Sequence, residues 1–249
     1  MKIDYEAHYD DSYWQGRKTY KDGQGKEKIY HGPSLAWEGF QFIADTLTPL
    51  LPKGSLLDIG CSGGDLANRL RLNGFDSYGV DISTYALKNC VDGMRDRVAL
   101  CDITACPEVI NSWHHTEDGW PVFPAQFDNL IATDLLVHIY EEDLNSTFDW
   151  MLSKTKKSMF FCVATASWDK EEFVARKGQP IPPEFEGTAV AGHLNVRQFY
   201  KYWCKFFIAK NLTIRWDLMY RFQARREQIE PWKNTPGWNM ATTVFLDKK

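Results

Sequence analysis

The sequence predicts an α/β fold: a doubly wound, seven-stranded, mostly parallel sheet with an antiparallel final strand and helices on both faces. Continuous apolar runs recur at near-even intervals through the first two thirds of the chain, helical patterns separate them, and the first run ends in a glycine-rich turn that opens into a helix. Strands buried on both faces read as unbroken apolar runs, not as alternating ones.

A helix is expected over Ser34–Leu50, where Leu35, Phe40, Ile43, Ala44 and Leu47 share one face. Strands follow at Ser55–Ile59, Ser77–Asp81, Val98–Cys101, Phe127–Thr133 and Ser158–Ala164. Between them fall helices at Asp65–Asn73, Thr84–Asp92, about Pro107–Trp113, and Glu141–Lys154. Residues Ser167–Ala191 are rich in Pro, Gly and charge and carry no period, as expected of a long loop or lid. A helix over Val196–Lys210 then leads to two strand candidates, Leu212–Tyr220 and Met240–Leu246, which suit an antiparallel hairpin at the sheet edge.

With 249 residues, of which 44% are hydrophobic, the chain can bury one substantial core, so a single domain over 1–249 is expected. A formal charge of -4 argues against a broad basic face for nucleic acid, leaving only a local patch at Arg221, Arg225 and Arg226. Six scattered cysteines form no CxxC pair or zinc spacing and read as reduced thiols, so no metal is expected. No apolar signal segment opens the sequence and no run of about 18 apolar residues occurs, so the expectation is a cytoplasmic protein without membrane association.

The segment Leu56-Leu57-Asp58-Ile59-Gly60-Cys61-Ser62-Gly63-Gly64-Asp65-Leu66 carries the most chemistry. Its glycines let the backbone reach positive φ and let a ligand approach the main chain without a Cβ in the way. Seventeen residues after Gly64, Asp81 ends the second strand, beside the first βα turn, where a carboxylate can accept both hydroxyls of a ribose. Asp81 could instead cap the next helix, although Ser83 lies nearer its start.

Asp58-Ile59-Gly60-Cys61-Ser62-Gly63-Gly64 followed by Val80-Asp81 resembles the first two motifs of class I S-adenosylmethionine-dependent methyltransferases, a Rossmann-like family, over about residues 54–165. The resemblance implies S-adenosylmethionine as cofactor. It places the turn residues Gly60, Cys61, Ser62 and Gly64 near the methionine part, Asp58 as its orienting acid, and Asp81 with Ile82 at the ribose. It also implies Asp102 at the adenine amino group, Ile103 against the ring, and Thr133 at the end of the fourth strand. Ser62 departs from the glycine usual there, and Asp102 could be a solvated loop residue. The resemblance divides the chain into an N-terminal cap (1–53), a cofactor-binding half (54–165) and a lid with a substrate-side C-terminal part (166–249).

A dinucleotide-binding domain uses the same sheet, but its G-x-G-x-x-G spacing is absent, and Asp58 favours a cationic ligand without phosphate. The fourth strand runs into Thr133-Asp134-Leu135-Leu136, without the proline-aromatic motif of nucleic-acid amino-methylating relatives. The acceptor is therefore expected to be a small molecule.

The substrate should lie at the carboxyl ends of the strands, under the loops there and the N-terminal segment. Tyr9, Tyr13 and Trp14 are candidate substrate contacts, or else a strap that packs on the domain. Gly192-His193-Leu194-Asn195 is similar to a segment of methyltransferases that modify sugars and surface polysaccharides, with Asn195 a substrate contact or a helix cap. Methyl transfer to a hydroxyl usually needs a base, and His193 and His138 are the candidates. The expected function is O-methylation of a sugar or related small polar metabolite. A non-catalytic nucleoside-binding partner subunit and an NAD-dependent oxidoreductase stand as alternatives.

Overall fold

Six strands that run one way and a single strand that runs against them make up the larger sheet, which the chain builds outward from its centre. The computed structural model of the protein describes residues 9–15, 17, 19–21, 27–29, 39–113, 122–163, 200–228 and 243–249. In chain order these hold α1 (Asp11–Trp14), β1 (Thr19–Lys21), β2 (Glu27–Ile29), α2 (Gly39–Leu47), β3 (Ser55–Ile59), α3 (Asp65–Leu72), β4 (Asp76–Asp81), α4 (Thr84–Lys88) and β5 (Val98–Leu100). The second half holds β6 (Phe127–Thr133), α5 (Glu141–Lys154), β7 (Thr155–Cys162), α6 (Tyr200–Ala209), β8 (Leu212–Ile214), α7 (Trp216–Glu227) and β9 (Thr243–Lys248).

The seven-stranded sheet has the order β5-β4-β3-β6-β7-β9-β8. The pairs among β5, β4, β3, β6 and β7 are parallel, whereas β9 runs antiparallel to both β7 and β8. The chain steps from β3 out to β4 and β5, then returns to the other side of β3 as β6. That reversal opens a crevice at the carboxyl ends of β3 and β6, where open α/β sheets bind ligands. β1 and β2 form a separate antiparallel pair.

The centre of the sheet is apolar because both of its faces are covered. Leu56, Leu57 and Ile59 of β3 and Leu130 and Ile131 of β6 are fully buried. On the far side, Phe148 of α5, Phe161 of β7 and Phe207 of α6 meet in an aromatic cluster, with the Phe161 and Phe207 rings stacked at 5.6 Å. Such pairs add about 0.5–1.5 kcal/mol beyond their area burial.

The expected bounds of the first strand, the fourth strand and the helix Glu141–Lys154 agree with β3, β6 and α5. The expected fifth strand starts earlier, at Thr155, because α5 runs into β7 without a loop. Only 39–47 of the first expected helix is helical among the described residues, and the helix after β4 ends at Lys88, with a 3₁₀ turn at Asp92–Arg97. Two expectations are corrected. Pro107–Trp113 is not a helix, because its backbone is engaged from outside. Trp150 Nε1 and Lys154 Nζ of α5 donate to the carbonyls of Pro107 and Glu108, Trp113 N donates to Val98 O, and Asn111 bridges Val122. The strand expected over Leu212–Tyr220 stops at Ile214. From Trp216 the buried Leu218, Met219, Phe222 and Arg226 follow a helical period, and Arg215 clasps both Asp217 and Asp247 at the junction. Arg226 is thus only 6% exposed and cannot join Arg221 and Arg225 in a surface patch.

Candidate functional site

The crevice is walled by the turn after β3, the end of β4 and the turn after β6. At the end of β3 the backbone turns back on β4: the amides of Gly60 and Cys61 both donate to the carbonyl of Val80, at 2.8 and 3.0 Å. Gly60 takes φ +73°, and a Cβ there would come within 3.1 Å of Leu135 on the turn after β6. Ser62 also holds a positive φ, 55°, a strained state for a residue with a side chain. Its amide donates to Asp81 Oδ2 at 2.7 Å, which binds the strained turn to β4. Gly64, at φ +78°, precedes the first residue of α3.

Asp81 is 8% exposed and accepts from two main-chain amides, Ser62 through Oδ2 and Ser83 through Oδ1 at 2.8 Å. Burial pushes its carboxyl above the usual range, against the amide hydrogen bonds that pull it down. Asp58, only 2% exposed on β3, is raised well above the ordinary value, first by burial and then by the charge of Asp81. Two neighbouring buried carboxylates make a site that favours positive charge.

Cys61 lies against β4, where a Cβ on Gly79 would stand 2.6 Å from its Sγ. Burial, Asp81 and Asp58 push its thiol well up, so it is an uncharged packing group. Ile82 is half-buried next to Asp81, and Ile103 is buried after β5. Asp102 is exposed, and its Oδ1 accepts from the amide of Thr104 at 2.9 Å and the hydroxyl at 2.6 Å, capping a short 3₁₀ turn. Thr133 ends β6, and the following Asp134, at φ +53°, donates its amide to Cys162 O.

Over these strand ends lies the segment from Tyr9 through α1. Tyr9 reaches across the crevice: its phenol is 2.8 Å from His138 Nδ1 after β6, while its carbonyl accepts from Ser83 Oγ after β4 at 2.6 Å. Trp14 Nε1 donates to Ser83 Oγ at 2.7 Å and to Tyr9 O at 3.1 Å. Tyr13 is buried, its ring edge-on to Tyr9 and Trp14. The structure thus brings together Asp58, Gly60, Cys61, Ser62, Gly64, Asp81 and Ile82, and seats Tyr9, Tyr13, Trp14 and His138 at the same end of the sheet. His193 and Asn195 lie outside the described residues. Ser83, expected only as a helix cap, also anchors the N-terminal segment. These contacts span 69 and 74 residues and leave no local sequence signal.

The residues present fit the cofactor that the motif resemblance implies. The hydroxyl of Ser62 is buried without a hydrogen bond among the described residues, a polar atom for a ligand to engage. The paired acids suit a sulfonium and a ribose diol, and the turn's glycines clear the main chain. Among the described residues no group of three or more His, Cys, Asp and Glu could hold a metal ion, and no helix is long and apolar enough to cross a membrane.

Strand order and the glycine turn at the reversal point define a Rossmann-like, doubly wound α/β protein of the methyltransferase type. The chain belongs to the family described as "Methyltransferase domain", whose model matches residues 35–215. Among solved structures it is similar to magnesium protoporphyrin IX methyltransferase from Synechocystis PCC 6803 with bound SAH. That match has 14% identity and a TM-score of 0.51 and covers 85% of this chain and 84% of that one, a likeness of fold. The PH0226 protein from Pyrococcus horikoshii OT3 is similar at 18% identity and a TM-score of 0.49, covering 86% and 93%. An S-adenosylmethionine-dependent methyltransferase from Clostridium acetobutylicum ATCC 824 is similar at 13% and 0.48, covering 83% and 89%. No curated protein sequence matches.

Proposed function

We propose that this methyltransferase, a single domain, uses S-adenosylmethionine to methylate the hydroxyl of a small polar acceptor, a sugar or sugar-linked metabolite. The observation that carries the cofactor is the pairing of buried Asp58 and Asp81 beside the positive-φ turn Gly60–Ser62. Asp81, its carboxylate fixed by two amides, keeps lone pairs for a ribose diol, since each carboxylate oxygen accepts more than one hydrogen bond. Asp58 supplies negative charge for a cationic ligand, and the Gly60–Gly64 backbone and Ser62 Oγ line the methionine end. Ile82 and Ile103 offer apolar contact to a base, with Asp102 and Thr133 at the rim. When bound, the cofactor supplies an electrophilic methyl on its sulfonium.

His138 is the proposed base, taking the acceptor's hydroxyl proton, with the Tyr9 phenol on its Nδ1 fixing the ring. Tyr9 and Trp14, with Tyr13 packed behind them, are proposed to face the acceptor. The sugar class rests on the Gly192-His193-Leu194-Asn195 segment alone, which assigns His193 a second proton-handling role and Asn195 an acceptor contact. The acidic balance and the burial of Arg226 support a small acceptor over nucleic acid. A cytoplasmic location accords with that chemistry.

Thermal shift with S-adenosylmethionine, S-adenosylhomocysteine, NAD and ATP tests the cofactor, since a ligand at 100 times its Kd adds about 2.7 kcal/mol to the native state. The first two should stabilise the protein and the last two should not. Stabilisation by NAD alone would exclude the proposal. Acceptor panels scored by S-adenosylhomocysteine formation then separate a sugar hydroxyl from other acceptors.

A further inference from the structure

The side chain of Ser83 is wholly buried and its hydroxyl is saturated. A hydroxyl offers one hydrogen and two lone pairs. Ser83 Oγ donates to Tyr9 O at 2.6 Å and accepts from Trp14 Nε1 at 2.7 Å and from Ala86 N at 3.2 Å. Its own main-chain amide donates to Asp81 Oδ1 at 2.8 Å. One residue therefore holds the carboxylate proposed to grip the ribose, the first turn of α4, and the N-terminal segment that crosses the crevice. A helix cap needs only the bond to Ala86. The other two side-chain bonds join the strap, whose far end rests on His138.

The two acids at the strand ends are nearly sealed, Asp58 at 2% and Asp81 at 8% exposure, and the strap crosses the crevice that they flank from Ser83 to His138. A nucleoside that engages carboxylates so enclosed needs the chain around the crevice to move. Helix α1 has four residues, too short to persist unaided, and its remaining bonds to the body include the long Gln15–Tyr85 contact at 3.3 Å.

We propose that Ser83 is a positioning residue that couples the Tyr9–Trp14 strap to the Asp81 clamp, so that the strap lifts to admit the nucleoside cofactor and reseats to delay its release. The proposal rests on the nucleoside reading of the site. It assigns Trp14 and the Tyr9 main chain to retention of the cofactor, apart from any contact they make with the acceptor. Lifting the strap exposes the indole N–H and the Tyr9 carbonyl to water, which can bond them in turn. The latch is thus reversible at modest cost.

Stopped-flow measurement of S-adenosylhomocysteine association and dissociation on the full chain tests it, alongside hydrogen exchange of the peptide containing residues 9–15. In the wild type, the ligand should increase protection of that peptide. Trp14→Phe keeps an aromatic ring and leaves the α4 cap intact, and it should speed dissociation about fivefold, the factor one hydrogen bond carries, without slowing association. Ser83→Ala should do the same or more. Trp14→Phe decides the matter if Ser83→Ala fails to fold, and Ser83→Thr, which restores the hydroxyl, should return slow dissociation. Dissociation within twofold of wild type in Trp14→Phe, or a peptide whose exchange ignores the ligand, overturns the coupling and leaves the cofactor assignment standing. A wild-type protein that does not bind S-adenosylhomocysteine sinks the cofactor assignment, and the coupling with it.

Discussion

The amide of Ser62 donates to Asp81 across 2.7 Å, so the strained turn after β3 is held by the acid at the end of β4. Asp81→Ala removes a proposed ribose acceptor and frees that turn at once. Hydrogen bonds to a charged group are worth about 1.5–3 kcal/mol each. Calorimetry should therefore show S-adenosylhomocysteine affinity falling by at least about tenfold, with unchanged affinity refuting the assignment.

Asp58 and Asp81 are both held above their unfolded-state pKa values. The native state then binds more protons than the unfolded one, so their contribution to stability is fully present below about pH 4. It is lost as pH rises through the native values. Melting of the ligand-free protein across pH should show this loss, and Asp58→Asn should remove part of it. A cationic ligand that ionises Asp58 must also displace a proton. Titration with S-adenosylmethionine in buffers of different ionisation enthalpy should register proton release, and affinity should rise with pH.

His138 should matter for turnover and not for cofactor affinity. With an acceptor in hand, His138→Ala is expected to lower kcat by about 10²–10⁴-fold, the range for a positioned base, while S-adenosylhomocysteine binds within about twofold of wild type. Tyr9→Phe deletes only the phenol on Nδ1. It should shift the acid limb of the pH–rate profile while the fold stays intact.

Gly79→Ala should damage stability and binding together. The added Cβ falls 2.6 Å from Cys61 Sγ, inside the turn that shapes the site. Overpacking of this kind costs about 1–3 kcal/mol, measurable as a lower denaturant midpoint. Weaker S-adenosylhomocysteine binding should accompany it. A midpoint equal to wild type would mean that the turn yields freely.

Much of this architecture is legible in the residues. β3 and β6 announce themselves because burial on both faces forces unbroken apolar runs, and the turn Gly60–Gly64 with Asp81 announces itself because close approach to main chain leaves few residue choices. Pro107–Trp113 misleads because long side chains from α5 satisfy its carbonyls, a tertiary effect without a local pattern. Leu212–Tyr220 misleads because a three-residue strand and the start of a helix lie end to end in a stretch rich in apolar and aromatic residues, and the helical period emerges only when Phe222 and Arg226 are read with it. The Tyr9–His138 contact joins residues 129 apart, beyond any motif.

The placement of β9 between β7 and β8 bears on biogenesis. The last of the seven strands to leave the ribosome is not an edge strand but an interior one, so its slot must stay open until every other strand has been made. Until residues 243–248 emerge, β7 and β8 lack the partner they share in the finished sheet, and strand edges left bare during translation are an aggregation hazard.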